Sequence, residues 1–315
     1  MRPPAVIANT RVAFCAALAV THIAGGQQPN WPAPSPITKI VMLGTGNPSP
    51  IPDKMGASIA IVVNGTPYIV DAGVGLVRRA SAATLAGVKG LEMPKLQRVF
   101  LTHLHTDHTL GLPDLLYTPW VQGRRAPLEV FGPKGTAAMA DHIMQAWSAD
   151  NDIRINGLEH GNATGNKVNA HEIMPGVVYQ DSSVKVTAFL VPHGSWDQAF
   201  GYRFDTPDRS IVISGDAAPS DAVVHQCNGC DVLLHEVYSE VGYNARPEAW
   251  RAYIRAFHTS TTQLAALAAR ARPKTLVLYH QMYFGGASDT DAGMIAEISK
   301  RWNGHIVASR DLDVY

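Results

Sequence analysis

Three cysteines in 315 residues are too few to staple a fold together, and neither sign of charge is in excess, with Lys+Arg and Asp+Glu both at 26. Scarce cysteine excludes the disulfide-rich secreted scaffolds, and it excludes a structural zinc site built on thiolates, which takes four ligands. A formal net charge of zero removes the global field that draws a chain to nucleic acid or to an anionic membrane, although a local basic patch stays compatible with it. The apolar run at residues 12–24 (VAFCAALAVTHIA) falls short of the ~20 apolar residues that a membrane-spanning helix needs. No internal repeat or low-complexity segment follows Pro36. What remains is 46% hydrophobic and 17% charged, the composition of an ordinary globular chain with a sizeable core.

Arg2 and Arg11 precede the apolar run, and Ala24-Gly25-Gly26 offers the small residues that a signal peptidase accepts. Residues 1–26 are therefore expected to be a cleavable signal peptide that exports the protein to the periplasm or the medium and leaves no membrane span, although His22 inside the run speaks against it. Residues 27–36 (QQPNWPAPSP) read as a Pro-rich linker, and residues 37–315 as one domain. Cys15 would leave with the signal. Cys227 and Cys230 then stand in a C-x-x-C spacing, either as a local disulfide or as two packed thiols.

Short apolar runs predict strands at 37–44, 58–63, 67–71, 98–102, 128–132, 184–191, 200–204, 210–215, 231–236, 274–280 and 305–309. Asn64-Gly65 joins the second and third of these as a hairpin. Helical periodicity falls at 75–87, 136–149, 261–272 and 291–302, whereas residues 150–181 read as an irregular polar excursion. Hairpins demand antiparallel pairing, so the pattern predicts an α/β sandwich rather than a doubly wound sheet.

The one dense motif is THLHTDHTLG at 102–111, where His103, His105, Asp107 and His108 spell H-x-H-x-D-H directly after a buried strand. With thirteen histidines in the chain, chance supplies that pattern in roughly one sequence in a thousand, so metal chemistry is the better explanation. Imidazole and carboxylate suit Zn²⁺, Mn²⁺ or Fe far better than Ca²⁺. A turn leaving a strand can aim these residues to two sides and so feed two metal positions, which requires further ligands at strand ends. His193, Asp216 and His280 each follow an apolar strand and meet that demand. Asp216, with two oxygens, can bridge cations ~3.5–4 Å apart.

HLHTDH, together with VMLGTGNPSPIP (41–52), YIVDAG (68–73), PHG (192–194), SGDAAPS (214–220) and LYH (278–280), resembles the metallo-β-lactamase-fold hydrolases, in particular the ribonuclease Z, arylsulfatase and phosphodiesterase branch. The likeness runs over about residues 37–315. It implies a four-layer αββα sandwich with the site along one edge, His103, His105 and His193 on one metal, Asp107, His108 and His280 on the other, and Asp216 between them. It further implies that Asp71 stands behind the ligand loop and orders it, and that His258 and Glu236 act in catalysis. The residues agree for His258: Ser260 and Gln263 form an S-x-x-Q capping box that holds His258 just outside a helix start, where Glu236 could keep it protonated to serve a leaving group.

Two Lewis-acidic cations, most naturally Zn²⁺ with Mn²⁺ or Fe as alternatives, bring a bridging water's pKa from 15.7 toward ~7 and so supply hydroxide, with Asp107 also able to orient the nucleophile. Ribonuclease Z proper grips tRNA with a long arm between the histidine matching His193 and the aspartate matching Asp216, whereas residues 194–215 here read only as two strands and a turn. Ala217 also replaces the threonine common in that branch. Trp196, Tyr238 and Tyr283, with Tyr243, Trp250, Tyr253 and Phe284 nearby in sequence, are candidate walls for an organic leaving group. The expected function is a binuclear metal hydrolase of small phosphodiesters or aryl esters, sulfate esters included, with a small-molecule ester as partner rather than nucleic acid and with a homodimer compatible. The alternatives are a lactonase or β-lactamase-like enzyme, a tRNA 3′-processing ribonuclease Z, and a metal-binding scaffold without chemistry.

Overall fold

Alternate side chains of a strand point to opposite faces, and in strand β1 (Thr38–Gly44) both faces are apolar. Ile40 and Met42 enter one hydrophobic cluster while Val41 and Leu43 enter another, and β2 (Ser58–Val63) divides in the same way. A strand buried on both faces needs a layer on each side. The first cluster lies between two sheets, since its buried members come almost wholly from strands, and the second lies between a sheet and its helices.

The computed structural model describes residues 37–286 and 289–315, so the expected signal peptide, the linker and Cys15 lie outside the described residues. The first sheet continues through β3 (Thr66–Val70), β4 (Arg98–Phe100), β5 (Leu128–Gly132) and β6 (Val168–Glu172), in the spatial order β1 to β6. The second runs β7 (Gly176–Gln180), β8 (Lys185–Leu190), β9 (Phe200–Asp205), β10 (Ser210–Ile213), β11 (Val232–Tyr238), β12 (Thr275–Met282) and β13 (His305–Ala308), again in sequence order. Each sheet opens with antiparallel hairpins and finishes with parallel pairs.

Parallel neighbours need crossovers, which supply the outer layers. Helices α1 (Leu76–Leu85), α2 (Thr106–Thr109), α3 (Leu112–Val121), α4 (Thr136–Ala146) and α5 (Ser148–Asn156) belong to the first half. Helices α6 (Asp221–Cys227), α7 (Glu240–Asn244), α8 (Glu248–Phe257), α9 (Thr261–Ala271) and α10 (Asp291–Ser299) belong to the second. Leu76, Val77, Leu112 and Leu115 pack on the outside of the first sheet, and Leu264, Leu267, Met294 and Ile298 on the outside of the second. The architecture is the αββα sandwich. The C-terminal tail returns along β1, with Leu312 N–H donating to Met42 O at 2.7 Å and Ile40 N–H to Tyr315 O at 2.9 Å, which covers that edge.

The excursion expected at 150–181 is corrected: it holds the greater part of α5 and the two strands β6 and β7, one at the edge of each sheet. Edge strands pair on one side only and keep polar side chains, so VNAHE carries little apolar signal. The helix expected at 136–149 divides at Trp147. Helix α3 carries Pro113 and Pro119, which obscured its periodicity. Cys227 and Cys230 are joined as a disulfide at the end of α6, buried under α9.

One buried cation braces the first half. Arg124 is fully buried, and its guanidinium donates to the carbonyls of Leu96 (2.8 Å), Leu115 (3.0 Å), Leu116 (2.6 Å) and Gly165 (3.0 Å), tying α3 to two loops. Burial lowers its pKa only to about 10, so it stays charged at neutral pH. Arg124→Leu should leave several of these carbonyls without a donor at ~1–3 kcal/mol each, costing more than about 3 kcal/mol in all. Urea denaturation should show the midpoint fall with the slope unchanged.

Candidate metal centre

Strands β3 and β4 are parallel neighbours and deliver Asp71 and Thr102 side by side just past their ends. Asp71 adopts φ 60, a left-handed conformation costly for a non-glycine residue. There its carboxylate accepts from Thr102 N–H at 2.7 Å and from the Thr102 hydroxyl at 2.9–3.0 Å. With its own proton given to Asp71, that hydroxyl accepts from His103 Nδ1 at 3.0 Å, which leaves His103 Nε2 as a free lone pair. His108 Nδ1 donates to Asp71 Oδ2 at 2.8 Å, again freeing Nε2. One carboxylate therefore sets the tautomers of two histidines. Gly73 is forced nearby, since a Cβ there would lie 2.2 Å from Gly56 C.

Between these histidines the chain makes the single turn α2, where Thr109 Oγ donates to His105 O at 2.9 Å. His193, three residues beyond β8, donates its Nδ1 proton to Phe257 O at 2.8 Å at the end of α8. His280 is the extra residue of a bulge in β12, since Glu236 pairs with Tyr279 and Val237 with Gln281, and its φ is 50. Each device turns a side chain toward the same edge of the sandwich.

Two clusters result. The donor atoms of His103, His105, His193 and Asp216 lie within 4.8 Å of one another, as do those of Asp107, His108, Asp216 and His280. In the first, His103 Nε2 and His193 Nε2 approach His105 Nδ1 to 2.9 and 3.2 Å. In the second, His108 Nε2 stands 3.4 Å from Asp107 Oδ2 and from Asp216 Oδ1, and His280 Nε2 stands 3.2 Å from Asp107 Oδ2 and 3.4 Å from Asp216 Oδ2. Asp216 alone belongs to both, turning one oxygen to each histidine of the second cluster.

Whether these residues suit a cation can be judged from their electrostatics. His108 Nε2 and Asp216 Oδ1 are buried without a hydrogen-bond partner, and an orphaned donor set is costly unless something bonds it. Burial pushes His193 down to about 4 and His103 well below the ordinary imidazole value, so both are neutral, the form that ligates metal. Burial also penalises a charged Asp216, yet His280 and His108 hold it well below the usual carboxylate range. Burial likewise opposes charge on His108, but Asp216, Asp71 and Asp107 override it and raise its pKa well above the ordinary value. The carboxylates thus favour positive charge at the centre of the site. Nitrogen and carboxylate donors of this kind fit Zn²⁺, Mn²⁺ or Fe.

Glu236, fully buried on β11, accepts from Thr259 N–H at 3.0 Å and Ala217 N–H at 3.3 Å, and stands 3.4 Å from His258 Nδ1. The Ser260–Gln263 capping box is present at the start of α9 and fixes the loop that carries His258. Burial would depress His258, but Glu236 outweighs it and raises the pKa. His258 joins His105, Asp107, Asp216 and His280 on the wall of a cavity of about 400 Å³.

Tyr283 lines that cavity, as do Trp250, Tyr253 and Phe284, but the expected walls at Trp196 and Tyr238 are corrected. Trp196 lies behind His105, donating its indole N–H to His105 Nε2 at 2.9 Å, and Tyr238 is buried in a cluster with Tyr243 and Met282. Sequence reasoning missed Thr102, Asn47 and Arg246. Thr102 was visible as a hydroxyl residue closing a buried strand, whereas nothing local marks Asn47 or Arg246 as cavity residues.

Asp71→Ala should free both imidazoles to rotate and lower metal affinity about 10–100-fold, the usual cost of losing a carboxylate behind a metal-bound histidine. Chelator competition on the folded variant measures it, and unchanged affinity would contradict the role given to Asp71.

Comparison with known proteins places this geometry. The family described as "Beta-lactamase superfamily domain" matches residues 66–281. A ribonuclease Z of Mycobacterium marinum is 34% identical over 245 residues, covering 77% of this chain and 85% of that protein. Among solved structures, the metallo-β-lactamase fold protein YhfI of Bacillus subtilis superposes with a TM-score of 0.67 at 14% identity, over 88% of this chain and 98% of the other. The short form of human tRNase Z superposes with a TM-score of 0.63 at 22% identity, again over 88% and 98%. With six of the seven residues of the two clusters between β4 and β12 and the seventh at the bulge within β12, all inside the matched span, the chain belongs to the β-lactamase superfamily, as a metallo-β-lactamase-fold hydrolase.

Proposed function

We propose that this protein is a binuclear metal-dependent hydrolase of small phosphodiesters, with His103, His105, His193 and Asp216 holding one divalent cation and Asp107, His108, Asp216 and His280 the other. The observation that carries the reading is the shared Asp216, a buried carboxylate common to two convergent donor clusters. When bound, two such cations, Zn²⁺ first and Mn²⁺ or Fe as alternatives, make water acidic enough to act as a nucleophile near neutral pH and draw charge from a phosphoryl oxygen.

The chain's own residues supply the rest. Asp71 and Thr102 fix the imidazole tautomers, and the Phe257 carbonyl fixes that of His193. Asp107, kept ionised by His108 and His280 in spite of its burial, can orient the attacking water. His258, kept protonated by Glu236, gives a proton to the departing oxygen or clamps its charge. The ribonuclease Z relatives support the phosphodiester among the ester classes, because the bond in RNA is of that kind. A 400 Å³ cavity, zero net charge and a stretch from 194 to 215 that holds only β9, β10 and their connections support a small substrate.

A second reading, cleavage of RNA in the manner of ribonuclease Z, is the one the relatives favour over a small ester, with a ribonuclease Z 34% identical over 77% of this chain and 85% of its own length. Turnover of nitrophenyl phosphodiesters by Zn²⁺- or Mn²⁺-loaded protein, beside sulfate esters, lactones and a precursor tRNA, decides between them. Cleavage of the precursor at its 3′ end with no small-diester turnover would favour the second reading, and no hydrolysis at all with metal bound would leave only a scaffold.

Two substitutions test the division of labour. His105→Ala should lose metal and rate together, whereas His258→Ala should keep metal and lower kcat by about 10²–10⁴; equal metal loss in both would refute the role of His258. Glu236 raises the His258 pKa, and the protonated form is the active one, so activity falls as pH rises through that pKa. Glu236→Gln should therefore move the alkaline limb of kcat/KM to lower pH, and an unmoved limb would count against the pair.

A further inference from the structure

The donor clusters open into one cavity, and a second adjoins it on which Asp107 is the sole donor residue. Both are about 400 Å³, and they share Asn47, Pro48, Ser49, Thr106 and Asp107. Beyond that common floor their chemistry diverges. The first is walled by Arg246, Trp250, Tyr253 and Phe284 and includes His258. The second has neither His258 nor an aromatic ring; Pro50, Ile51, Pro52, Met55, Val74 and Leu110 make most of its walls, and the one cation on it, Lys54, already donates to Tyr283 Oη at 2.9 Å and Gln281 Oε1 at 3.1 Å.

Both clefts carry groups that folding leaves unused. Trp250 and Phe284 meet edge to face with centroids 4.6 Å apart, and the Arg246 guanidinium lies 5.4 Å from the Trp250 ring and 6.0 Å from that of Phe284. Arg246 donates to the Phe284 carbonyl and forms no ion pair among the described residues, so most of its five N–H donors stay available for an anion. In the other cleft Leu110 is 60% exposed and Val74 51%, neighbouring apolar side chains with no packing partner to cover them. The shared wall is stiff: Asn47 Nδ2 donates to Gln281 O at 2.8 Å and its Oδ1 accepts from Ser49 N–H at 2.9 Å, within a run of alternating prolines.

We infer that the site takes an unsymmetrical diester, with a planar anionic arm against Arg246, Trp250 and Phe284 that departs, and an apolar branched arm against Ile51, Val74 and Leu110 that is retained. The inference rests on the phosphodiester reading above and deepens it. The direction follows from His258, which faces only the aromatic cleft. Water adds to phosphorus through its oxygen, and the P–O bond to the aromatic-cleft arm breaks with its electron pair left on the arm's oxygen. That oxygen takes the His258 proton, and the proton shed by the attacking water restores His258 by way of solvent. The products are a free hydroxyl compound and the phosphomonoester of the apolar arm.

A diaryl phosphate carrying one 4-carboxymethylphenyl arm and one 4-tert-butylphenyl arm tests this, because the two phenols are similar leaving groups in water. Metal-loaded protein should release the carboxymethyl phenol in at least tenfold excess. Arg246→Ala should bring the ratio near one with metal content unchanged, and Leu110→Asp should raise KM for this diester at least fivefold while hardly changing KM for an analogue with a methyl arm. Equal release of both phenols, or a preference that survives Arg246→Ala, overturns the assignment. Hydrolysis of bis(4-nitrophenyl) phosphate with the mixed diester inert overturns the two-arm assignment alone, whereas inertness toward both overturns the phosphodiester reading with it.

Discussion

Asp71 is a single buried carboxylate on which both halves of the donor set depend. Its oxygens hold the Thr102 backbone and hydroxyl and the ring of His108, and through the hydroxyl they reach His103. A hydrogen bond to a charged acceptor contributes about 1.5–3 kcal/mol, which can offset the ~1–3 kcal/mol cost of the left-handed backbone at φ 60. The conformation is retained because the bonds exist only in it. Remove the carboxylate and the ends of β3 and β4 lose their common anchor, while two imidazoles lose their preferred tautomers.

The sheets deliver the remaining donors by one geometric rule applied twice. Each half of the chain builds one sheet in sequence order and then places chemistry just past the strand ends at a common edge. His103 follows β4, His193 follows β8 and Asp216 follows β10, while the bulge in β12 turns His280 inward. Because the two sheets pack through a close-packed interior rich in Ile, Val, Phe and Tyr, the edge is backed by a rigid core. The histidines thereby stay close together without relying on flexible loops.

This logic explains what the sequence disclosed. Period-2 apolar runs and H-x-H-x-D-H are local patterns, so the central strands and the quartet from His103 to His108 could be read directly. His193, Asp216 and His280 were legible because each ends an apolar run, and the capping box around Ser260 located His258. Edge strands β6 and β7 were not, since strands paired on one side keep their polar residues and lose the apolar contrast. The wall of the cavity was legible in part: Tyr283, Trp250, Tyr253 and Phe284, all near the motifs in sequence, do line it, whereas α8 folds over the site and leaves Trp196 and Tyr238 behind it. Such placement depends on the packing of a helix, which no short window of residues encodes.

Helix α8 joins two roles that enzymes more often keep apart. Trp250, Tyr253 and Ile254 form part of the cavity wall, while the last carbonyl of the same helix, at Phe257, orients His193, and Gly194 at φ 55 lies directly under the Phe257 ring. A side chain at position 194 would collide with that ring at 2.0 Å, so the helix end has no slack against the ligand loop. Drift in substrate preference along this helix is consequently taxed by loss of cofactor. The lineage is freer to explore new substrates at Arg246 and on the proline-bounded rim from Asn47 to Pro52, which carry no imidazole, than on the helix that gives the wall Trp250, Tyr253 and Ile254.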